Sequence, residues 1–69
     1  MPRYYVTTEP KQNGDHEVHT AECHFLPEDE AKRFFLGYFN NCEDALMQAR
    51  IHYTKINGCY YCSRECCEK

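Results

Sequence analysis

Val18-His19-Thr20-Ala21-Glu22-Cys23, answered far downstream by Asn57-Gly58-Cys59-Tyr60-Tyr61-Cys62, decides how this chain is read. A C-x2-C step that reverses through a tight turn lets both sulfurs point at one centre. An H-x3-C step at the end of a strand brings a second pincer from a distant part of the chain. Together they offer three thiolates and one imidazole, a donor set that suits tetrahedral Zn²⁺ at about 2.3 Å from sulfur and about 2.0–2.1 Å from nitrogen. The expectation is one structural zinc ion held by His19, Cys23, Cys59 and Cys62. With protein filling every position, no place is left for a catalytic water.

The size of the chain makes such a staple necessary. It has 69 residues, which is one domain over 1–69, and six of them are Cys. A unit this small buries only about 60% of the surface its unfolded chain exposes, so its core barely offsets the entropy of ordering. Disulfides or a metal must supply the difference. Taken as the native start, Met1-Pro2-Arg3-Tyr4-Tyr5 lacks the apolar stretch of a secretory signal and points to the cytoplasm. Thiols stay reduced there, which favours metal ligands over cystines.

Outward from the two pincers, the chain divides into short elements. Arg3 to Thr8 is β-branched and aromatic, and Lys11-Gln12-Asn13-Gly14-Asp15 supplies turn chemistry before His16-Glu17-Val18-His19-Thr20. This predicts a β-hairpin, with Glu17 and His19 on one face of its second strand and His16 and Val18 on the other. Pro27 followed by Glu28-Asp29-Glu30-Ala31 suggests a single helical turn inside a loop. Arg33 to Phe39 is apolar on both alternating sets, as for a strand covered on both sides, and is expected at the centre of the sheet. A helix is expected from Cys42 to about Tyr53, with Asn40 or Asn41 as N-cap and an apolar stripe of Cys42, Ala45, Leu46, Ala49 and Tyr53. Asn57-Gly58 is expected to turn the chain into the C-x2-C knuckle, and Ser63 to cap a last short turn through Arg64-Glu65-Cys66-Cys67. The fold class is α+β, a small three-stranded antiparallel sheet with one main helix stabilised by one zinc ion.

Val18-His19-x3-Cys23, Leu36-Gly37-x-Phe39, the acid-led Cys42-Glu43-Asp44-Ala45-Leu46 and Asn57-Gly58-Cys59-x2-Cys62 occur in an order that resembles the Ada-type zinc-binding domain of bacterial proteins, in particular its small stand-alone relatives. The resemblance covers about residues 16–62 and implies a small α+β fold around one zinc ion. DNA-repair members of that family accept a methyl group on the first pincer cysteine, a position that His19 occupies here. Imidazole is not a comparable methyl acceptor at zinc, so the resemblance does not carry the repair activity with it. The insertion after Cys23 and the Cys66-Cys67 tail also depart from the pattern.

Each candidate has a competing reading. Cys59 and Cys62 can form a disulfide or remain buried thiols, and His19 can be a surface histidine. His16 and His24 are rival nitrogens, and Cys66 or Cys67 is a rival sulfur that would make an all-cysteine site, the only route to an iron–sulfur cluster. Cys42 lies on the helix stripe and is expected to be a packed thiol. His52 suits a solvated partner of the helix dipole. The Cys66-Cys67 pair is either a redox-sensitive or metal-binding tail or a pair of ordinary thiols.

Charge and composition exclude whole classes of function. The net charge is −3, and the basic residues are scattered apart from Lys32-Arg33, so no basic stripe faces nucleic acid. The longest apolar run, Phe34 to Phe39, is far shorter than the roughly 20 residues of a membrane span. No phosphate loop, paired catalytic carboxylates or nucleophile–base arrangement is present, so the chain is not read as an enzyme. Ten aromatic residues exceed what one helix covers. Loops must cover the second sheet face, or it forms a patch for another protein. The reading is a zinc-stabilised protein-interaction module, with a nucleic-acid-binding zinc module or a metal storage or trafficking protein as alternatives.

Overall fold

The structure, a computed structural model, describes residues 1–12 and 14–66. Asn13, at the centre of the expected hairpin loop, and Cys67, in the expected terminal pair, lie outside the described residues. Strand β1 (Arg3–Thr7) and strand β2 (His16–Thr20) form the expected antiparallel hairpin, with Tyr5 opposite His19 and Val6 opposite Val18. Strand β3 (Arg33–Tyr38) runs antiparallel along the other side of β1. Its register shifts by one residue between Tyr5↔Phe35 and Tyr4↔Gly37. Gly37 has φ +135° at this bulge, a conformation that a side chain would strain.

Among the described residues the sheet has four strands rather than the expected three, and it is mixed. Strand β4 (Ile56–Gly58) pairs in parallel with the outer side of β2, giving the order β3-β1-β2-β4. Asn57-Gly58 is thus a strand segment and not a turn. Three residues are too few to show alternation, and the parallel pairing needs a long crossover, which here runs through β3 and the helix after it. β3 is an edge strand, not the central one. Its two apolar faces go to different places: Phe34 meets the ring of His52 edge-on, while Phe35 packs against Tyr5 and Tyr38 on the opposite face. Of the β3 side chains only Leu36 is buried.

Helix α1 (Cys42–His52) forms where the stripe demands it. Asn41 caps it, its side chain accepting from the Asp44 N–H at 2.9 Å, and Glu43 and Asp44 lie at the positive end of the dipole. Cys42, Ala45, Leu46 and Ala49 pack on Tyr4, Val6, Val18 and Leu36 to make the core, with Tyr53 partly buried beside them. The expected turn near Pro27 is a 3-10 turn at Glu30–Lys32, capped by Asp29, and another 3-10 turn covers Arg64–Cys66. Among the described residues no helix is long and apolar enough to cross a membrane.

One further correction concerns the thiols. Cys42 is not a free packed thiol, and Cys66 is not a ligand, because the two form a disulfide. The helix stripe buries Cys42 at the start of α1, and the turn at Arg64–Cys66 folds back over that end.

Candidate metal centre

The alternation of β2 determines where the site lies. Val18 faces α1, so His19 belongs to the opposite set, beside Tyr5 on β1. Its ring is nonetheless 1% exposed, because two segments close over it. The first is the turn that leaves β2, in which Cys23 N–H donates to the Thr20 carbonyl at 3.1 Å and Leu26 N–H to the Cys23 carbonyl at 3.2 Å. The second is the knuckle after β4. Cys59 N–H donates to the Val18 carbonyl at 3.0 Å, so the knuckle continues from the sheet, and Ser63 N–H returns to the Cys59 carbonyl at 2.9 Å.

These segments bring His19, Cys23, Cys59 and Cys62 together, with all four ligand atoms within 4.8 Å of one another. Cys23 Sγ lies 3.7 Å from Cys59 Sγ, and Cys62 Sγ lies 3.8 Å from His19 Nδ1. A tetrahedron of sulfurs about 2.3 Å from a central ion has edges of about 3.8 Å, so the observed separations match a shared ion. They are too long for a disulfide, and Cys23, Cys59 and Cys62 are free thiols. The four residues can therefore hold a metal ion, as the two pincers lead one to expect.

The rival donors are elsewhere. His16 stacks on Tyr53 at 4.0 Å, and its Nδ1 lies 2.8 Å from the Thr7 carbonyl oxygen. His24 is exposed, and His52 sits at the end of α1 against Phe34. The disulfide removes Cys66.

No protein family, characterised protein or solved structure matches this chain. What the centre can do follows from its own geometry and electrostatics.

Burial pushes the Cys23 thiol up to about 12, with the neighbouring thiols adding to the effect, and burial raises Cys59 as well. Cys62 behaves differently. Burial opposes its ionisation too, but hydrogen bonds from the His19 ring, the Thr20 N–H, the Cys23 thiol and the Ser63 hydroxyl more than offset it, lowering the thiol to about 6. The Thr20 N–H reaches Cys62 Sγ at 3.3 Å. The hydrogen bonds around Cys62 thus favour its ionised form, the form that binds a cation.

The sign of the pH dependence follows. Cys62 lies below its ordinary value of 9.0, so its contribution to stability is present above about pH 9 and is lost as pH falls through about 6. Cys23 lies above that value, so its contribution is present below about pH 9 and is lost as pH rises through about 12. Metal binding needs all three sulfurs ionised, and protons compete for them. Acidifying cobalt-loaded protein from about pH 8 to about pH 5 should bleach the visible thiolate–cobalt bands and the folded circular dichroism in one transition. Bands that persist while Cys62 is protonated would contradict this assignment.

Sequence reasoning did not single out Glu17. Its Oε1 lies 3.4 Å from His19 Nε2, the ring nitrogen facing away from the sulfurs, and its other oxygen pairs with Lys11 Nζ at 2.9 Å. A carboxylate behind a ligating imidazole fixes the ring orientation and raises its basicity. The signal was present in the alternation, which puts Glu17 and His19 on one strand face. Glu17→Gln keeps the shape but removes the charge, and should weaken metal binding by roughly ten-fold in a chelator competition. An unchanged affinity would reduce the carboxylate to a surface ion pair with Lys11.

Proposed function

We propose that this protein is a zinc-stabilised module that binds another protein. Three thiolates and one imidazole, all supplied by the chain, favour zinc among the abundant divalent ions and leave no open position for chemistry, so the ion is structural and the protein is not an enzyme. The single observation that carries the interaction reading is the aromatic surface built around the site. Phe25, two residues after Cys23, stacks on Tyr61 of the knuckle at 4.5 Å, yet these rings are 57% and 69% exposed. Tyr60 meets Tyr61 edge-on at 5.2 Å and lies under the Arg64 guanidinium. A ring pair contributed by both pincers is held in place by whatever holds the pincers. Rigid, exposed aromatics lose little entropy on binding and are favoured anchors in protein interfaces.

The charge disfavours nucleic acid. Three thiolates on Zn²⁺ contribute about −1 together, so metal loading makes a chain of net charge −3 more acidic still. Arg33 stacks on Tyr5 at 5.0 Å, but no run of basic residues follows it. The free thiols of the centre suit a reducing compartment such as the cytoplasm, whereas the Cys42–Cys66 disulfide suits an oxidising one, so the cysteines together do not select a compartment. The resemblance to stand-alone Ada-type domains agrees with a structural zinc, and His19 in place of the methyl-accepting cysteine leaves no repair chemistry to propose.

Titration of labelled protein with single- and double-stranded oligonucleotides at low salt, beside capture of partners from cell lysate, tests the reading. Protein partners should be captured by the wild type and lost with Tyr60→Ala/Tyr61→Ala, while oligonucleotides should not bind. Salt-sensitive micromolar binding to an oligonucleotide would overturn it. Two or more metal ions per chain would instead support a storage or trafficking role.

A further inference from the structure

We propose that the Cys42–Cys66 disulfide is a clasp that pre-organises the second metal pincer, so that breaking it loosens the metal and losing the metal exposes the clasp. This rests on the metal-binding reading of His19, Cys23, Cys59 and Cys62. The segment that carries Cys59 and Cys62 is anchored at both ends. At its start β4 pairs with β2, and at its finish Cys66 is bonded to the first residue of α1. The two anchors also touch each other. A Cβ placed on Gly58 would come within 2.9 Å of both Cys66 Cβ and the Ser63 carbonyl oxygen, so the 3-10 turn lies directly on the end of β4. Cys66 N–H donates to the Ser63 carbonyl at 2.9 Å, one residue beyond the ligand Cys62. Without the disulfide this segment has one covalent route to the sheet, and its two sulfurs must be ordered by the metal itself.

The coupling works in both directions, as linkage requires. Cys42 and Cys66 are both buried, so a reductant reaches the bond only when the knuckle lifts from the sheet. A metal tying Cys59 and Cys62 to His19 and Cys23 suppresses that opening. The reducing step is thiol–disulfide exchange with a low-molecular-weight thiol of the glutathione class. The Cys42–Cys66 sulfur–sulfur bond breaks, and each protein sulfur ends with one added electron and one proton. Two small thiols lose those protons and electrons as they join in a disulfide of their own.

Two measurements test this. Zinc affinity by chelator competition, under anaerobic conditions without added reductant, should be about ten-fold or more weaker for Cys42→Ala/Cys66→Ala than for the disulfide-intact wild type. Equal affinities would overturn the proposal. The wild type by itself gives the second arm, which decides the matter should the double variant fail to fold. The rate at which glutathione reduces Cys42–Cys66, followed by alkylation and mass mapping, should rise about ten-fold or more when zinc is stripped by a chelator. Equal rates with and without zinc would overturn the coupling while leaving the metal site in place. A wild type that binds no zinc would remove the metal reading itself, a result distinguishable from both.

Discussion

Excess chelator, added to the zinc-loaded protein with its disulfide intact, should collapse the dispersed amide spectrum and the circular dichroism together. The core is small: beyond the disulfide it consists of one helix stripe of Ala45, Leu46 and Ala49 on Tyr4, Val6, Val18 and Leu36. His19 and Cys59 are among the most deeply buried side chains of the described residues, so the candidate metal centre is itself part of the interior. Structural zinc in small peptides supplies an apparent roughly 10–16 kcal/mol at neutral pH, which equals or exceeds the total stability of most domains. The disulfide constrains the unfolded chain by about 3 kcal/mol for a loop of this kind, too little to replace the ion. A spectrum that stays dispersed in excess chelator would show that the sheet, the helix and the disulfide suffice.

Substitution of His19 should separate the ligand from the packing. His19→Ala removes a ligand and a buried ring, and should weaken zinc binding by at least about 100-fold while destabilising the metal-loaded fold. His19→Cys restores a donor at the same strand position, and should recover most of the affinity and shift the visible bands of cobalt-loaded protein toward those of a four-sulfur site. Cys66→Ala should leave those bands where they are in the wild type, because Cys66 acts through the disulfide and not on the metal. Loss of the bands in Cys66→Ala with retention in His19→Ala would reverse the ligand assignment. Tight binding by both variants would mean that another group completes the set.

The chemistry of the centre was legible in the linear chain because it depends on residue type and local spacing. A strand with His19 one residue from its end and a turn that spans Cys59 to Cys62 set the relative placement of donors within each pincer before any long-range contact forms. The hairpin, the capped helix with its stripe of Cys42, Ala45, Leu46 and Ala49, and the α+β class were legible for the same reason: each is written in a period or a cap. The order of the sheet was not. Whether Arg33–Tyr38 lies inside the sheet or at its edge depends on whether Ile56–Gly58 pairs beside it or beside β2, and Ile56–Gly58 is too short to announce itself by alternation. Local spacing also could not distinguish Cys66 as a ligand from Cys66 as a disulfide partner. That was decided by the parallel crossover, which lays β4 beside β2 and folds the following turn onto the start of α1, so that Cys66 meets Cys42. The joint Phe25–Tyr61 surface is likewise a product of tertiary structure, because each ring is placed by a different pincer and the two meet only when the pincers close.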